Sequence, residues 1–194
     1  MTTTPVGTRT RTHWDLDPTH SSIRFSVKHL NISTVHGRFN RWTGDVLFDE
    51  ADLPRSQVNV RIEAASIDTH EPKRDAHLCS ADFFDTAKHP EITFRSTRIE
   101  ATTKDAFRLN GDLAISGVTR TVALDAELLG KTTDPQGSER AAFEATTTID
   151  RRDFGLVWGP VLEAGGLLVG EKVKIEISIE AVRRPDAMPG PRTA

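Results

Sequence analysis

From Ile23 almost to the C-terminus this chain repeatedly places an apolar residue at every second position, and that alternation constrains its fold more than any other feature. Ile23, Phe25 and Val27 alternate with Arg24, Ser26 and Lys28, and Val58, Val60, Ile62 and Ala64 alternate with Asn59, Arg61 and Glu63. Val122, Leu124, Ala126 and Leu128 make a third stripe. The cleanest is Val173, Ile175, Ile177, Ile179 and Ala181, opposed by Lys172, Lys174, Glu176, Ser178 and Glu180. Successive side chains on a strand point to opposite faces, so each run has one dry and one wet face. Many such strands need one shared interior, and the pattern asks for a closed antiparallel barrel.

Composition narrows the partners. A single domain of 194 residues buries roughly 70% of the surface its unfolded chain exposes, enough for a sizeable core. Net charge is -3 with both signs mixed along the strands, so no basic field is available to neutralise a nucleic-acid backbone. The lone cysteine, Cys79, cannot close an intrachain disulfide, which is compatible with a reducing compartment. Met1 to His13 has no apolar stretch of the secretory kind, and no window approaches the ~20 apolar residues of a membrane-spanning helix. The expectation is a soluble, cytoplasmic protein; a homo-oligomer is left open.

Residues 1–12 and 184–194 are poor in apolar residues and are expected to be disordered tails around one domain at 13–183. Strands are expected near 14–17, 22–30, 34–48 with a break around Gly44, 56–65, 91–100, 105–115, 120–130, 140–150 and 171–182, eight or nine in all. Asn110-Gly111 suits a tight turn or bulge, Ser116-Gly117 a separator of two runs, and Asp134-Pro135-Gln136-Gly137 a hairpin tip. Two stretches break the strand rhythm. Pro72 to His89 reads as one or two short helical turns, with Pro72 at a first helical position, Ser80 capping an Ala81 to Asp85 turn, and Phe83 and Phe84 as apolar payload. Arg151 to Gly170 holds Phe154, Leu156, Val157, Trp158, Val161, Leu162, Leu167 and Leu168 among five glycines, too apolar for a bare loop, and is expected to cover a barrel end or pocket mouth.

Several ordered motifs resemble the YceI-like family of lipocalin-like proteins. They run from Trp14-Asp15-Leu16-Asp17-Pro18-Thr19-His20 through Phe25, His29 and Val35-His36-Gly37-Arg38-Phe39. Asp75-Ala76-His77-Leu78, Ser80-Ala81-Asp82-Phe83-Phe84-Asp85 and Pro90-Glu91-Ile92-Thr93-Phe94 follow, then Gly111-Asp112-Leu113, Gly117-Val118-Thr119-Arg120, Arg151-Arg152-Asp153-Phe154-Gly155 and Val169-Gly170. The resemblance spans about residues 13–182. It implies an all-β fold, a single eight-stranded antiparallel barrel with short helical segments. It also implies an interior holding a long apolar molecule, typically a polyisoprenoid, with no established catalysis and no cofactor. Many relatives are exported to the periplasm; the opening of this chain lacks such a signal.

An eight-stranded barrel is either filled by side chains or encloses one slim ligand, and alternation alone does not choose. The candidate lining residues on strands are Phe25, Val27, Phe39, Ile62, Phe94, Leu113, Leu124 and Phe143; on the irregular segments, Phe83, Phe84, Phe154 and Trp158 are candidates for a mouth. Arg38, Arg74, His77 and Arg152 could meet a polar head group, or be surface charges with local partners. The expected function is to bind, store or carry a long-chain isoprenoid or acyl lipid. Two alternatives stand beside it: a metal- or histidine-dependent enzyme acting on such a lipid, and a filled barrel serving as an interaction module. No catalytic residue and no metal ligand is assigned. His20, His29 and His36 lack a paired-ligand spacing, His77 and Cys79 point to different faces of a helix, and Gly37, Gly155 and Gly170 read as backbone devices.

Overall fold

The computed structural model describes residues 11–49, 51–159 and 168–185. In chain order the elements are β1 (Arg11–Leu16), β2 (Ser22–His29), β3 (Ser33–Phe39), β4 (Trp42–Asp49), β5 (Gln57–Glu63), β6 (Ile67–Asp68), α1 (Pro72–Cys79), β7 (Glu91–Ala101), β8 (Ala106–Ile115), β9 (Val118–Thr133), β10 (Glu139–Asp150) and β11 (Val169–Arg183). Short 3-10 turns occupy Leu53–Arg55, Ala64–Ser66 and Arg151–Phe154. All neighbouring strands pair antiparallel, and the ring β1-β4-β5-β7-β8-β9-β10-β11 closes through β1 against β11. The protein is therefore an eight-stranded antiparallel barrel. Among the described residues no helix is long and apolar enough to cross a membrane.

Closure uses split strands. β1 and β2 lie one after the other along β11, the first opposite Ala181–Arg183 and the second opposite residues 169–178. β3 and β4 follow the same plan, β3 on β2 and β4 on β1. The break between β3 and β4 falls at Asn40–Arg41, not at Gly44 as the sequence suggested. The Ser66 backbone oxygen accepts from Asn40 N at 3.0 Å and its hydroxyl from Arg41 N at 3.0 Å, which turns the strand there. Gly44 instead lies within β4, where a Cβ would stand 2.6 Å from Leu16 Cδ1. The two-residue β6 escaped the pattern because it is too short for alternation to show.

The apolar stripes meet inside as their period demands. Val173, Ile175, Ile177 and Ile179 of β11 face Ile149, Thr147, Ala145 and Phe143 of β10, and Leu124 of β9 faces Leu109 of β8. Ser116 and Gly117 both take positive φ and close the β8–β9 hairpin in a two-residue turn of the kind that suits strand twist. Asn110 and Gly111 lie inside β8, opposite a register shift between Ser96 and Arg98 of β7, so the irregularity is a bulge on the partner strand and not a turn. At the β9–β10 tip, Asp134 Oδ1 accepts from the backbone N of Gln136 and Ser138. Of the expected tails, Arg11 and Thr12 begin β1, and Arg184 donates its N–H to His13 O while its guanidinium grips Asp15; residues 1–10 and 186–194 lie outside the described residues.

The same strand directions bring α1, the residues after it, the β2–β3 and β8–β9 turns and residues 151–159 to one end of the barrel. That end is called the helix end below. Pro72 opens α1 as expected, Glu71 accepting from Lys73 N, and Ser80 accepts from Asp82 N to start the turns that carry Phe83 and Phe84.

Candidate ligand-binding cavity

The lumen is not filled. A cavity of about 310 Å³ runs along the barrel, bounded by Phe48, Leu53, Ile99 and Phe107 toward one end and by Leu78, Phe83, Phe84 and Leu156 toward the helix end. Its size falls in the range of small-molecule sites. Among its lining residues only Arg24, Ser56, Thr147 and Arg151 are polar. The polar atoms of three of these are already engaged by the backbone. Thr147 Oγ1 donates to Ala123 O, Ser56 Oγ accepts from Asp49 N, and the Arg151 guanidinium spends its N–H groups on carbonyls. An apolar cavity with its polar groups satisfied elsewhere favours an apolar occupant, since any polar group placed there would lose its hydrogen bonds.

Arg151 governs the helix end. It is only 6% exposed, yet its partners are backbone oxygens: Nε donates to Gly170 O at 2.9 Å, Nη1 to Trp158 O at 2.8 Å and to Leu156 O, and Nη2 to Val169 O at 3.2 Å. Burial pushes its pKa down, although a guanidinium stays charged throughout the range in which proteins fold. The side chain thus ties residues 156–158 to the start of β11. Arg152, beside it, turns outward to Asp150 at 2.7 Å and Glu171 at 2.7 Å. Sequence reasoning considered Arg152 and passed over Arg151; the apolar run that begins at Phe154 was the available signal that an adjacent arginine would be enclosed.

The expected lining residues divide cleanly by position. Phe25, Val27, Phe39, Ile62, Phe83, Phe84, Phe94, Leu113, Leu124 and Phe143 all bound the cavity. Phe25, Phe39 and Phe84 form a continuous aromatic run, with centroids 5.7 and 6.2 Å apart. Phe154, Trp158, Arg74 and His77 do not bound it. Phe154 is 2% exposed and packs in the core behind the wall, because the tight 3-10 turn ending at Gly155, φ 77°, folds its ring inward. Trp158 covers His77 and Phe83, with centroids 4.7 and 5.1 Å away, in an aromatic cluster of which Phe83 alone bounds the cavity. His77 also bonds Asp82 at 2.9 Å. Arg74 brackets Thr69, whose hydroxyl and carbonyl oxygen accept from it, and Arg38 pairs with Asp68. Both have protein partners where a head group was considered. Phe48, Ile99 and Phe107 complete the wall; Phe48 and Phe107 were legible from the same alternation, at Val46/Phe48 and Phe107/Leu109, whereas Ile99 was not, because the bulge between Ser96 and Arg98 shifts it off the phase of Ile92 and Phe94.

Chemistry outside the lumen is sparse among the described residues. Asp17, His20 and Glu180 place ligand-type atoms within 4.8 Å of one another, but Arg140 already bridges Asp17, at 3.3 Å, and Glu180. Two carboxylates held by a guanidinium make a salt-bridge knot; the His20 bond holds the Asp17 pKa at about 2. Burial pushes the Cys79 thiol up, which keeps it protonated and weakly nucleophilic.

The comparisons agree with this architecture. Residues 14–181 match the YceI-like domain. A UPF0312 protein of Vibrio parahaemolyticus is 38% identical over 170 residues, covering 88% of this chain and 86% of its own. A YceI protein of Campylobacter jejuni, solved by crystallography, superposes with TM-score 0.70 at 30% identity, over 81% of this chain and 90% of that one. A polyisoprenoid binding domain from Saccharophagus degradans, implicated in plant cell wall breakdown, has the same fold at TM-score 0.65 and 17% identity, over 88% and 98%. With nearly its whole barrel matched in sequence, the chain belongs to the YceI-like family.

Proposed function

We propose that this protein binds and carries a long-chain amphipathic lipid, a polyisoprenoid or similar molecule, inside its barrel. The observation that carries this reading is the open, apolar lumen of about 310 Å³; the polyisoprenoid binding domain of like fold supports it. Burial contributes about 0.8 kcal/mol per methylene-sized unit, so an apolar chain is held along its length without any one strong contact. Ordering the chain and desolvating its head offset much of that sum, and non-covalent affinity saturates near roughly 20 kcal/mol. The protein's role in this reading is binding, with Cys79 kept as a protonated thiol and Arg151 committed to backbone carbonyls.

The test is gentle organic extraction of the purified protein followed by mass spectrometry, with metal analysis of the same sample. The expected result is a long-chain lipid in stoichiometric amount. A bound metal with no lipid would favour an enzyme, and a protein that neither yields a lipid nor takes up a fluorescent prenyl analogue would sink the carrier reading.

A further inference from the structure

The β2–β3 hairpin and its flanks carry basic residues without acidic ones. From Pro18 to Gly44 there is no Asp or Glu, whereas Arg24, Lys28, Arg38 and Arg41 fall there together with His20, His29 and His36, in a protein of net charge -3. The register puts Arg24 opposite Arg38, Ser26 opposite His36 and Lys28 opposite Thr34, one outward face that is exposed except at the half-buried Ser26. β11 adds Lys172 and Lys174 beside it, both exposed. The nearest carboxylates are engaged: Asp68 with Arg38, Glu176 with Lys174, Asp150 with Lys172 and Arg152, and Glu171 with Arg152. Lys28 reaches only a neutral partner, Thr34 Oγ1 at 3.0 Å, within the described residues.

The tip of that hairpin is apolar and held in an uncommon shape. Leu30 and Asn31 take φ of 53° and 58°, and Ile32 N closes the turn on His29 O. Left-handed backbone is uncommon for a residue as bulky as leucine and costs conformational energy that surrounding structure must hold. Here Leu30 N donates to Leu168 O. The turn leaves Ile32 83% exposed, and Val157 is 69% exposed at the same end of the barrel. These are two of the three large apolar residues so exposed among the described residues. They belong to one rigid neighbourhood: Arg151 binds both Trp158 O and Val169 O, and Val169 pairs with His29. The same end carries Phe83, Phe84 and Leu156 against the lumen.

We propose that the helix end of the barrel docks on an anionic lipid bilayer, the Ile32 tip and Val157 entering the interfacial layer while the basic face of the β2–β3 hairpin lies against the headgroups. Charge complementarity selects this partner: basic residues near a negative membrane surface each strengthen binding about fivefold, and apolar side chains beside them insert into the headgroup boundary. The proposal rests on the lipid-carrier reading, for which a bilayer is the source and destination of a ligand too insoluble to exchange through water. It places transfer at the end where irregular segments, not strands, bound the cavity.

The experiment is sedimentation of the full-length protein with vesicles of phosphatidylcholine alone and of phosphatidylcholine mixed with an equal part of phosphatidylglycerol. Lipid content of each protein is measured in parallel, so that a failed carrier reading and a failed docking surface are told apart. The expected result is binding to the anionic vesicles only, released by high salt. Lys28→Gln should weaken it about fivefold, and Ile32→Ser and Val157→Ser should each weaken it measurably; all three change exposed residues outside the cavity wall, so lipid content stays at the parent value. Equal binding to neutral vesicles, no binding to either, or parent-level binding by all three variants would overturn the proposal. Self-association in solution that Ile32→Ser abolishes, with no vesicle binding, would assign the tip to a second copy of the chain and overturn it equally.

Discussion

Whether the lumen stays open depends on a few side chains that could have closed it. Gly37 sits at an inward position of β3, directly across from Phe25 of β2, and a Cβ there would lie 2.3 Å from Phe25 Cζ and 2.9 Å from Thr69 Cγ2. The Phe25 ring therefore covers the bare Cα of Gly37 and stays close to the wall. Gly111 repeats the device under Phe94, but its Cβ would also meet the Arg95 carbonyl oxygen at 2.6 Å, so substitution there strains backbone. At Gly37 the obstruction is the end of a ring and a methyl group, which can move. Gly37→Ala should push Phe25 toward the lumen, cut the retained lipid, and cost ~1–3 kcal/mol through overpacking. Phe25→Ala in the same molecule should restore the space, so the double variant should retain more lipid than Gly37→Ala and be more stable than the two single costs predict by addition. Lipid-to-protein ratio and urea midpoints check this; strict additivity would show that Gly37 and Phe25 do not constrain each other.

At the scale of elements, the described parts of the two segments that interrupt the strands, residues 72–89 and 151–159, come together at the helix end, with divided duties; residues 160–167 of the second lie outside the described residues. Phe83 and Phe84 bound the cavity, Trp158 covers Phe83 and His77 from outside, and Phe154 is a core residue. Trp158→Ala should therefore speed release of a fluorescent prenyl analogue in stopped flow with only a modest fall in urea midpoint. Phe154→Ala should do the reverse, costing ~3–5 kcal/mol for a buried aromatic while its folded fraction releases ligand at the parent rate. Release unchanged by Trp158→Ala would place the ligand's exit elsewhere. That division was illegible beforehand because an apolar residue in a loop can face the lumen or the core behind it, and the choice rests on the 3-10 turn at Arg151–Phe154. The strands and the inward positions Phe25, Ile62, Leu113 and Leu124 were legible because period 2 assigns a side chain to a face with no knowledge of its partner. The corner at Asn40–Arg41 was not, since it depends on Ser66, far along the chain.

For the whole molecule the question is what keeps the ring shut. β10 and β11 share eleven residue pairs, while β1 meets β11 through three, Trp14 with Arg183, Asp15 with Val182 and Leu16 with Ala181. So short a seam leans on side chains. Arg184 grips Asp15, and Arg140 gathers Asp134 from the β9–β10 tip, Asp17 from the β1–β2 loop and Glu180 from β11. The carboxylates record this: Arg184 holds the Asp15 pKa down, Arg140 holds that of Asp134 down, and Asp17, bonded first to His20 and also to Arg140, falls to about 2. A carboxylate whose folded pKa is depressed contributes stability that is full above its ordinary value of 3.8 and disappears as pH falls through the folded value. The urea midpoint should thus drop as pH is lowered from 3.8 toward about 2, with the β1–β11 seam exposing its amides before β10 does. Arg140→Gln should start from a lower midpoint at neutral pH and lose less across that window, because Asp134 and Asp17 would then titrate nearer their unfolded values. Urea titrations of both proteins at stepped pH decide it. Parallel curves, displaced by a constant amount, would mean that Arg140 stabilises the barrel by packing alone and that the acid lability arises away from the seam.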